Sequence, residues 1–588
     1  MGSASRKARV VSETLTLPTH QNEFDRPLDL VEVFETPEAI AIVVFFNKKP
    51  LTTNKKPLTT KVKKLTWIIW GLSASCLGAP VLSLETFLTR DGIDAFKLHQ
   101  PPYNLIGRKI AIGQVEIGRP GKFGLDKAVS KNHSVPLAGV FLRTGLAKSN
   151  SGVDPHAYNV AGIMVSTDKA LPGVSPGARL YSSAVGAAKN IAQSEECLSA
   201  QHIALQNGGD VRAINFSFGE PLNRDPRPEA VLDGNALLTL CIDWSSRVHN
   251  TLYVIAGNQG KGGIPIPTDN YNGVNVAFSS RRGGVFDKVD VSNLATSDQG
   301  MVRRLAGREI NLGPRRSISL VAPGSNIRLL NPDGKANKVT GTSFAAPLVT
   351  ATVALLQEFG DRQLRTKQPN WSIASRRHEV MKAVLLNSAD KIQDTGNGLR
   401  LGMTRTLVDK QNRDWLASDA YKDPKIPLNA QMGAGHLNAF RAYQQFSAGQ
   451  WNPSQTVPAL GWDYSKVNIG TSVEYKLAKP LQQGSFVDIT LAWDRLVELE
   501  DKNKNGQYDA GEKFRDRGLN NLALYLVKAD SQNADAAVCS SISEVDSVQH
   551  IFCPVPATAN YTIRVQFRRK VNESTQPYAL AWWSVPAR

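Results

Sequence analysis

The feature that most constrains the fold is an apolar run from Lys109 to Gly118, which ends in the carboxylate Glu116 and a glycine. Continuous apolar runs of this kind are expected where helices cover both faces of a parallel sheet. The run therefore predicts a buried parallel strand, and it places Glu116 at the end of that strand.

A serine lies where a glycine-bearing loop, Gly341-Thr342-Ser343, leads into an apolar helix predicted from Phe344 to Phe359. The hydroxyl of Ser343 is thus expected at a helix N-terminus, near the positive end of the helix dipole, where a nucleophile is favoured. An isolated serine at this position is more often an ordinary helix cap. Three further blocks upstream favour the nucleophile over the cap.

The upstream blocks each combine a strand or helix with a polar residue at its end. His156 begins a helix of small residues, Asp154 to Ile163. Ser217, Phe218 and Gly219 follow the apolar strand that starts at Ile214. Asn258 follows a strand-like run that ends in Ala256 and Gly257. A lone histidine is more often structural, and an Asn after Gly is often only a turn residue. No block taken alone therefore indicates a catalytic site.

Taken together and in this order, the blocks resemble those of the subtilisin-like serine proteases, the subtilases, over roughly residues 107–446. The loop Gly341–Pro347 is similar to the family's GTS-x-A-x-P, and the chain order acid, histidine, serine is the subtilisin order. The resemblance implies a three-layer α/β peptidase domain with a mainly parallel sheet at 107–447, which hydrolyses peptide bonds. It implies the triad Glu116, His156 and Ser343 and the oxyanion-hole residue Asn258. The implied substrate-binding residues are Ser217, Phe218, Gly219, Ala256 and Gly257.

Two positions depart from the family pattern. Glu116 stands where the family has an aspartate, and Asn159 stands where it has a second histidine. Asp126 is a weaker candidate for the acid because no strand directly precedes it. The departures keep open an alternative, a catalytically inactive homologue that serves as a binding or scaffold protein.

After Phe446 the pattern becomes alternating, which is typical of half-buried strands. The alternating apolar residues are Ile489, Leu491 and Trp493, then Leu522, Leu524 and Leu526, then Tyr561, Ile563, Val565 and Phe567, then Tyr578, Leu580 and Trp582. Residues 448–588 are therefore predicted to form an antiparallel β-sandwich. A rival interpretation makes this domain a carbohydrate-binding or adhesion module with Trp493 and Trp582 stacking on sugars, but their alternation favours core positions.

A stretch inside the predicted sandwich fits every position of the calcium-loop pattern D-x-N-x-N-G-x5-E. The expected oxygen ligands are Asp501, Asn503, Asn505, Asp509 and Glu512, with the backbone carbonyl of Gln507. The flanks are strand-like rather than helical, so a structural calcium ion is expected rather than a paired sensor. A polar hairpin loop that matches by chance is the alternative.

The N-terminal region predicts export. Residues 61–82 begin with lysines and continue as an apolar run, which is the pattern of a secretory signal. Residues 1–60 are expected to be disordered or untranslated. Residues 83–106 are expected to form a linker. Cys76 follows small residues, so lipidation there is an open alternative. The other four cysteines permit disulfides in an exported chain. Cys539 and Cys553 are the better candidates for a pair, whereas Cys197 and Cys241 are also compatible with buried thiols.

Length and charge set wider limits. A chain of 588 residues with 41% hydrophobic and 21% charged residues is long enough for two or three domains. The net charge of +17 is spread along the sequence, and nucleic-acid binding would need a clustered basic stripe with aromatic residues. The expected partners are therefore protein or peptide substrates, with no nucleic acid, membrane contact only through the signal segment, and a monomeric state. The expected location is secreted, periplasmic or cell-envelope.

Overall fold

The computed structural model describes residues 87–186, 193–220, 222–228, 230–257, 266–289, 315–529 and 537–587, and four further strands given below. The chain divides into two units, Met1–Ala79 and Pro80–Arg588. In the first unit, β1 (Val31–Thr36) and β2 (Ala39–Val44) pair antiparallel, within the segment 1–60 for which the sequence predicts disorder or no translation. The predicted signal segment 61–82 lies outside the described residues.

The first part of the second unit alternates strands and helices. Its strands are β3 (Ala111–Glu116), β4 (Gly139–Leu142), β5 (Gly145–Leu146), β6 (Arg179–Ala184), β7 (Val211–Phe216), β8 (Leu252–Ala256), β9 (Val274–Arg282), β10 (Val285–Val289), β11 (Val302–Leu305), β12 (Arg308–Asn311), β13 (Leu320–Pro323), β14 (Ile327–Leu330), β15 (Ala336–Val339) and β16 (Leu407–Val408). Its helices are α1 (Phe96–His99), α2 (Pro155–Val165), α3 (Gln193–Ala204), α4 (Gln206–Gly209), α5 (Leu237–His249), α6 (Thr342–Arg365), α7 (His378–Asn387), α8 (Asp419–Lys422) and α9 (Ala439–Ser447).

A ten-stranded sheet forms the centre of this domain. Its order is β16-β10-β9-β8-β7-β3-β6-β4-β5, with β13 also paired to β9. The pairs from β4 through β6, β3, β7 and β8 to β9 are all parallel, while β10 pairs antiparallel with β9 and β5 with β4. The prediction of an α/β domain with a mainly parallel sheet is confirmed.

Alternate side chains of the central strand β3 enter two different cores. Ile112 packs on one face of the sheet in the core that includes α2, α6 and α7. Ala111 and Val115 pack on the other face in the core that includes α3 and α5. All six residues of β3 are buried. The domain thus has three layers, and both faces of β3 are covered by helices.

Residues 87–106 are not a linker, contrary to the prediction from sequence. Leu88, Ile93, Leu98 and Leu105 are fully buried in the same core as α2 and α6. The side chain of Glu358 on α6 accepts hydrogen bonds from the backbone N–H groups of residues 106–108. Apolar residues at irregular spacing in a short segment carry no periodic signal, so only the folded domain reveals that they complete its core.

The last part of the unit is an antiparallel sandwich, as the alternation predicts. Its strands are β17 (Leu460–Asn468), β18 (Ser472–Lys476), β19 (Phe486–Ala492), β20 (Val497–Glu500), β21 (Lys513–Asp516), β22 (Asn521–Lys528), β23 (Ala537–Ser541), β24 (Val548–Pro554), β25 (Tyr561–Arg569) and β26 (Thr575–Trp583). The sheets β17-β26-β19-β24 and β18-β25-β22-β23 enclose a core. Trp493 and Trp582 are buried in that core, so their indole faces are not available to a sugar.

Buried ion pairs join the sandwich to the α/β domain. Nζ of Lys391 lies 2.6 Å from Oδ2 of Asp488, and both side chains are inaccessible to solvent. His378 lies between the carboxylates of Glu379, 3.2 Å from its Nδ1, and Asp494, 3.0 Å from its Nε2. Burial alone would lower the pKa of His378, but the two carboxylates outweigh it and raise the pKa. The two domains therefore share an interface with buried ion pairs.

Two disulfides occur in the described residues. Cys539–Cys553 links β23 to β24, as predicted. Cys197–Cys241 links α3 to α5, so the interpretation of these two residues as buried thiols is wrong. The helices pack side by side on one face of the sheet, which brings the two Cα atoms to 5.8 Å. In the described part of the chain, no helix combines the length and apolar character needed to cross a membrane.

Candidate active site

The predicted site residues lie at the carboxyl end of the parallel sheet. Glu116 is the last residue of β3, and its side chain is almost completely buried. Gln114, two residues earlier and on the same face of the strand, donates from Nε2 to the carbonyl of Ala157 at 2.9 Å and to Oε1 of Glu116 at 3.5 Å. Gln114 was not identified from sequence, although the two-residue spacing indicates a shared face.

His156 lies in the first turn of α2. The side chain of Asp154 caps this helix by accepting from the backbone N–H of His156 at 3.0 Å, and Pro155 is well suited to the first helical position. Nδ1 of the imidazole lies 3.4 Å from Oε2 of Glu116. The local sequence thus fixes the helix start, and the sheet brings the acid to the imidazole.

The contact between these two side chains changes the proton affinity of both. Burial alone would lower the pKa of His156, but hydrogen bonding to Glu116 and its negative charge outweigh burial, so the pKa is raised above 6.5. Burial raises the pKa of Glu116, and the imidazole opposes that rise. Each group therefore favours the charged form of the other.

Ser343 lies in the first turn of α6, whose preceding residue Gly341 has a φ of +150°. Its hydroxyl donates to the carbonyl of Ser217 at 3.2 Å, and the hydroxyl of Ser217 donates back to the carbonyl of Ser343 at 2.9 Å. Asn215 donates from Nδ2 to the Ser217 hydroxyl at 2.8 Å. The reciprocal bonds fix the start of α6 to the end of β7.

The imidazole lies beside this helix turn. The rings of His156 and Phe344 are 5.4 Å apart between centroids. The hydroxyl of Ser343 is hydrogen-bonded to the carbonyl of Ser217, so that bond would have to break for the hydroxyl proton to reach the imidazole.

The remaining predicted cleft residues follow two neighbouring strands. Ser217, Phe218 and Gly219 come directly after β7, and the ring of Phe218 stacks on that of Phe216 at 5.3 Å. Ala256 ends β8, and the carbonyl of Gly257 accepts from the hydroxyl of Thr342 at 2.7 Å. Asn258 lies outside the described residues, so its oxyanion role stays a prediction.

Asp126, the weaker candidate for the acid, has a structural role. Its carboxylate binds the buried guanidinium of Arg119 at 2.6 and 2.9 Å. It also accepts backbone N–H groups from Lys122 and Asn150. Hydrogen bonds from Arg119 and from the backbone outweigh the effect of burial and lower the pKa of Asp126. Its oxygens are thus engaged away from His156.

The predicted calcium loop connects β20 to β21. Oδ1 of Asp501 accepts from the backbone of Lys504 at 2.6 Å, and Oδ2 accepts from that of Gly506 at 2.7 Å. Glu512 accepts from the backbone N–H of residues 502 and 509, and the side-chain amides of Asn503 and Asn505 both reach Asp509. The donor set consists of carboxylate and amide oxygens, which suits a Ca²⁺ ion.

Comparisons with known proteins were made by family model, by sequence and by structure. Residues 122–404 match the model described as the Subtilase family, a range that includes His156 and Ser343 and begins after Glu116. The Major intracellular serine protease of Bacillus subtilis (strain 168) is 27% identical over 222 residues, which is 37% of this chain and 59% of that protein. The C5a peptidase of Streptococcus pyogenes serotype M1 is 24% identical over 322 residues, which is 51% of this chain and 26% of that protein.

Similar solved structures include the prenylagaramide maturation protease PagA, with 21% identity and a TM-score of 0.37, covering 57% of this chain and 93% of that one. MycP1 with its N-terminal propeptide removed has 17% identity and a TM-score of 0.34, covering 60% of this chain and 93% of that one. The chain spans less than two thirds of the length of the two sequence relatives above.

Proposed function

Because residues 122–404 of this chain belong to the Subtilase family, we propose that the protein is a serine endopeptidase. The observation that most supports this is the 3.4 Å contact between Nδ1 of His156 and Oε2 of Glu116, beside the helix turn that carries Ser343. A buried carboxylate on one imidazole nitrogen leaves the other nitrogen to act as a base.

Peptide hydrolysis proceeds in two halves. His156 accepts the hydroxyl proton as Oγ of Ser343 forms a bond to the scissile carbonyl carbon. The carbon–nitrogen bond then breaks as His156 returns the proton to the leaving amine, which leaves an acyl-enzyme. A water molecule repeats the sequence, so that the acid product leaves and Ser343 regains its proton.

Glu116 holds the imidazole in the tautomer with the proton on Nδ1 and stabilises the imidazolium that forms during attack. The raised pKa of His156 is the equilibrium expression of the same stabilisation. The backbone N–H of Ser343 and the side chain of Asn258 would bind the oxyanion of the tetrahedral intermediate.

A peptide substrate would lie along the residues that follow β7. The backbone of Ser217, Phe218 and Gly219 would pair with an extended peptide as an added strand. The reciprocal bonds between Ser217 and Ser343 would then hold the added strand in register with the nucleophile. Phe218, Ala256 and Gly257 would border the first side-chain pocket.

The loop from Asp501 to Glu512 would hold a structural Ca²⁺ ion through Asp501, Asn503, Asn505, Asp509 and Glu512 and the carbonyl of Gln507. The ion would neutralise three carboxylates that otherwise repel one another, and so stabilise the β20–β21 hairpin. The two disulfides and the signal-like segment 61–82 support an exported enzyme, since disulfides persist in oxidising compartments.

Fluorophosphonate labelling of the full chain in calcium tests the proposal, with the modified residue mapped by mass spectrometry. Labelling at Ser343 that is lost in Ser343→Ala and strongly slowed in His156→Ala is expected. No labelling of folded protein would overturn the endopeptidase and favour the inactive, binding homologue.

A further inference from the structure

The side chain of Gln201 hydrogen-bonds the proposed calcium loop to the α/β domain. The backbone N–H of Tyr508 donates to Oε1 of Gln201 at 2.6 Å, and Nε2 of Gln201 donates to the carbonyl of Tyr508 at 3.1 Å. Both bonds are buried. Gln201 lies on α3, 307 residues earlier in the chain, so one side chain holds both peptide groups of a loop residue from the other domain.

Apolar packing surrounds this pair of bonds. The ring of Tyr508 is buried and stacks on that of Phe514 at 5.0 Å between centroids. Phe514 in turn contacts Trp244 of α5. The disulfide Cys197–Cys241, which links α3 to α5, belongs to the same cluster. The loop is therefore seated on a cross-linked pair of helices.

The helix α3 continues from this seat toward the cleft. Gln193, at its first turn, lies eight residues before Gln201, which corresponds to about 12 Å along a helix. The side chain of Gln193 hydrogen-bonds to two neighbouring segments. Nε2 donates to the carbonyl of Arg224 at 3.4 Å, and Oε1 accepts from the backbone N–H of Leu238 at 2.9 Å.

A second side chain of α3 lies against the cleft segment. Glu196 is fully buried and faces Glu220, which directly follows the cleft residues Ser217–Gly219. Glu220 also pairs with Arg224 at 3.2 Å. A displacement of α3 thus changes the support of the backbone on which the substrate would lie.

The positions of the expected ligands explain why a metal ion would affect the contact between Tyr508 and Gln201. Tyr508 lies between Gln507 and Asp509, and both neighbours are expected to offer an oxygen to the ion. In this structure hydrogen bonds hold the loop: the carboxylates of Asp501 and Glu512 accept backbone N–H groups of the loop itself. An ion bound by the two neighbours of Tyr508 would add a restraint on the Tyr508 peptide groups that face Gln201.

We propose that Ca²⁺ binding to this loop regulates the substrate cleft, through the bidentate contact between Tyr508 and Gln201 and through α3. The inference rests on the calcium site and the endopeptidase proposed above. The ion then acts at a distance and not only as a local support for its hairpin. Because coupling between two sites is reciprocal, occupation of the cleft must raise the affinity for Ca²⁺ by the same factor.

Hydrogen exchange of the full chain with and without Ca²⁺ tests the coupling without reference to activity. Calcium is expected to slow exchange in the loop, in residues 193–204 and in residues 217–224. Calorimetric titration with Ca²⁺ gives the second measure: protein labelled at Ser343 with a peptidyl inhibitor is expected to bind Ca²⁺ about fivefold tighter, or more, than unlabelled protein.

Gln201→Met keeps the length of the side chain and removes both hydrogen bonds to Tyr508. It is expected to bind Ca²⁺ and protect the loop, but to lose the effect on residues 193–204 and 217–224. Gln206→Met is the matched control, since the Gln206 side chain hydrogen-bonds to His202 within one helical turn, and it should behave as the unsubstituted chain.

The outcomes separate the two proposals. Calcium binding that protects the loop alone, with equal affinity in labelled and unlabelled protein, would overturn the coupling and leave the calcium site and the peptidase standing. Absence of calcium binding would overturn the site and the coupling together. Both results come from the unsubstituted chain, so they do not depend on the folding of Gln201→Met.

Discussion

Replacing Glu116 by aspartate tests whether the longer side chain is needed in this triad. The family carries aspartate at this position, so the substitution restores the usual residue. In this structure Oε2 of Glu116 already lies 3.4 Å from Nδ1 of His156. Removing one methylene draws the carboxylate back by up to about 1.5 Å, so the separation approaches about 5 Å and exceeds hydrogen-bonding distance.

The expected loss follows from this displacement. A misplacement of about 1 Å costs about 10²-fold in rate, so kcat/KM of Glu116→Asp should fall by about that factor. Glu116→Gln keeps the length but removes the charge, and it should lose about 10⁴-fold, the loss that an amide causes in another Ser–His–acid triad. Restoration of the family residue is thus predicted to impair the enzyme.

The pH profile gives a second readout. His156 must be neutral to act as a base, and its pKa is raised by Glu116, so the acid limb of kcat/KM should lie above pH 6.5 in the unsubstituted enzyme. Both substitutions weaken the contact, which lowers the pKa of His156 and moves the limb to lower pH. A purely structural role for Glu116 would leave the position of the limb unchanged.

The assay is hydrolysis of a peptide amide substrate, with active enzyme counted by fluorophosphonate titration and folding checked by circular dichroism. Glu195→Asp is the matched control, because the Glu195 side chain lies in a partly exposed pair with Arg143 at 3.4 Å, and it should leave kcat/KM unchanged. An activity of Glu116→Asp within about threefold of the unsubstituted enzyme would refute the argument from side-chain reach.

Three further predictions concern stability. The double substitution Asp501→Asn with Glu512→Gln should abolish the rise in Tm that Ca²⁺ produces, a stabilisation of about 2.7 kcal/mol at a hundredfold excess over Kd. Glu498→Gln in the same hairpin is the control and should keep the rise. Equal responses of the two variants to Ca²⁺ in scanning calorimetry would contradict the loop site. Removing Cys197–Cys241 should destabilise by about 4 kcal/mol and removing Cys539–Cys553 by about 3, because the cysteines are 44 and 14 residues apart; denaturant unfolding that shows the opposite order would contradict the loop-entropy argument. Because the pKa of His378 is raised in the folded protein, its contribution is complete below pH 6.5 and is lost as pH rises through the folded-state pKa; the Tm difference from His378→Gln should shrink with that rise, and a constant difference would show that His378 acts by packing alone.

Some properties of this protein are determined by sequence over short ranges. The apolar run before Glu116, interrupted only by Gln114, predicted the buried parallel strand, because its side chains must face two cores. The alternation of residues such as Leu522 and Leu524 predicted the sandwich, and the tryptophans Trp493 and Trp582 lie in its core as their spacing indicated. The start of α2 at Pro155 also follows locally, from the capping side chain of Asp154.

Only the tertiary structure decided the contacts between distant segments. Glu116 and His156 meet because a strand end and a helix start converge at one edge of the sheet. Cys197 and Cys241 pair because two helices pack side by side. Gln201 holds Tyr508 across a gap of 307 residues. Local pattern records the period of an element and the face it buries, whereas the distance between two elements depends on how all the layers pack, and no single segment of the sequence carries that information.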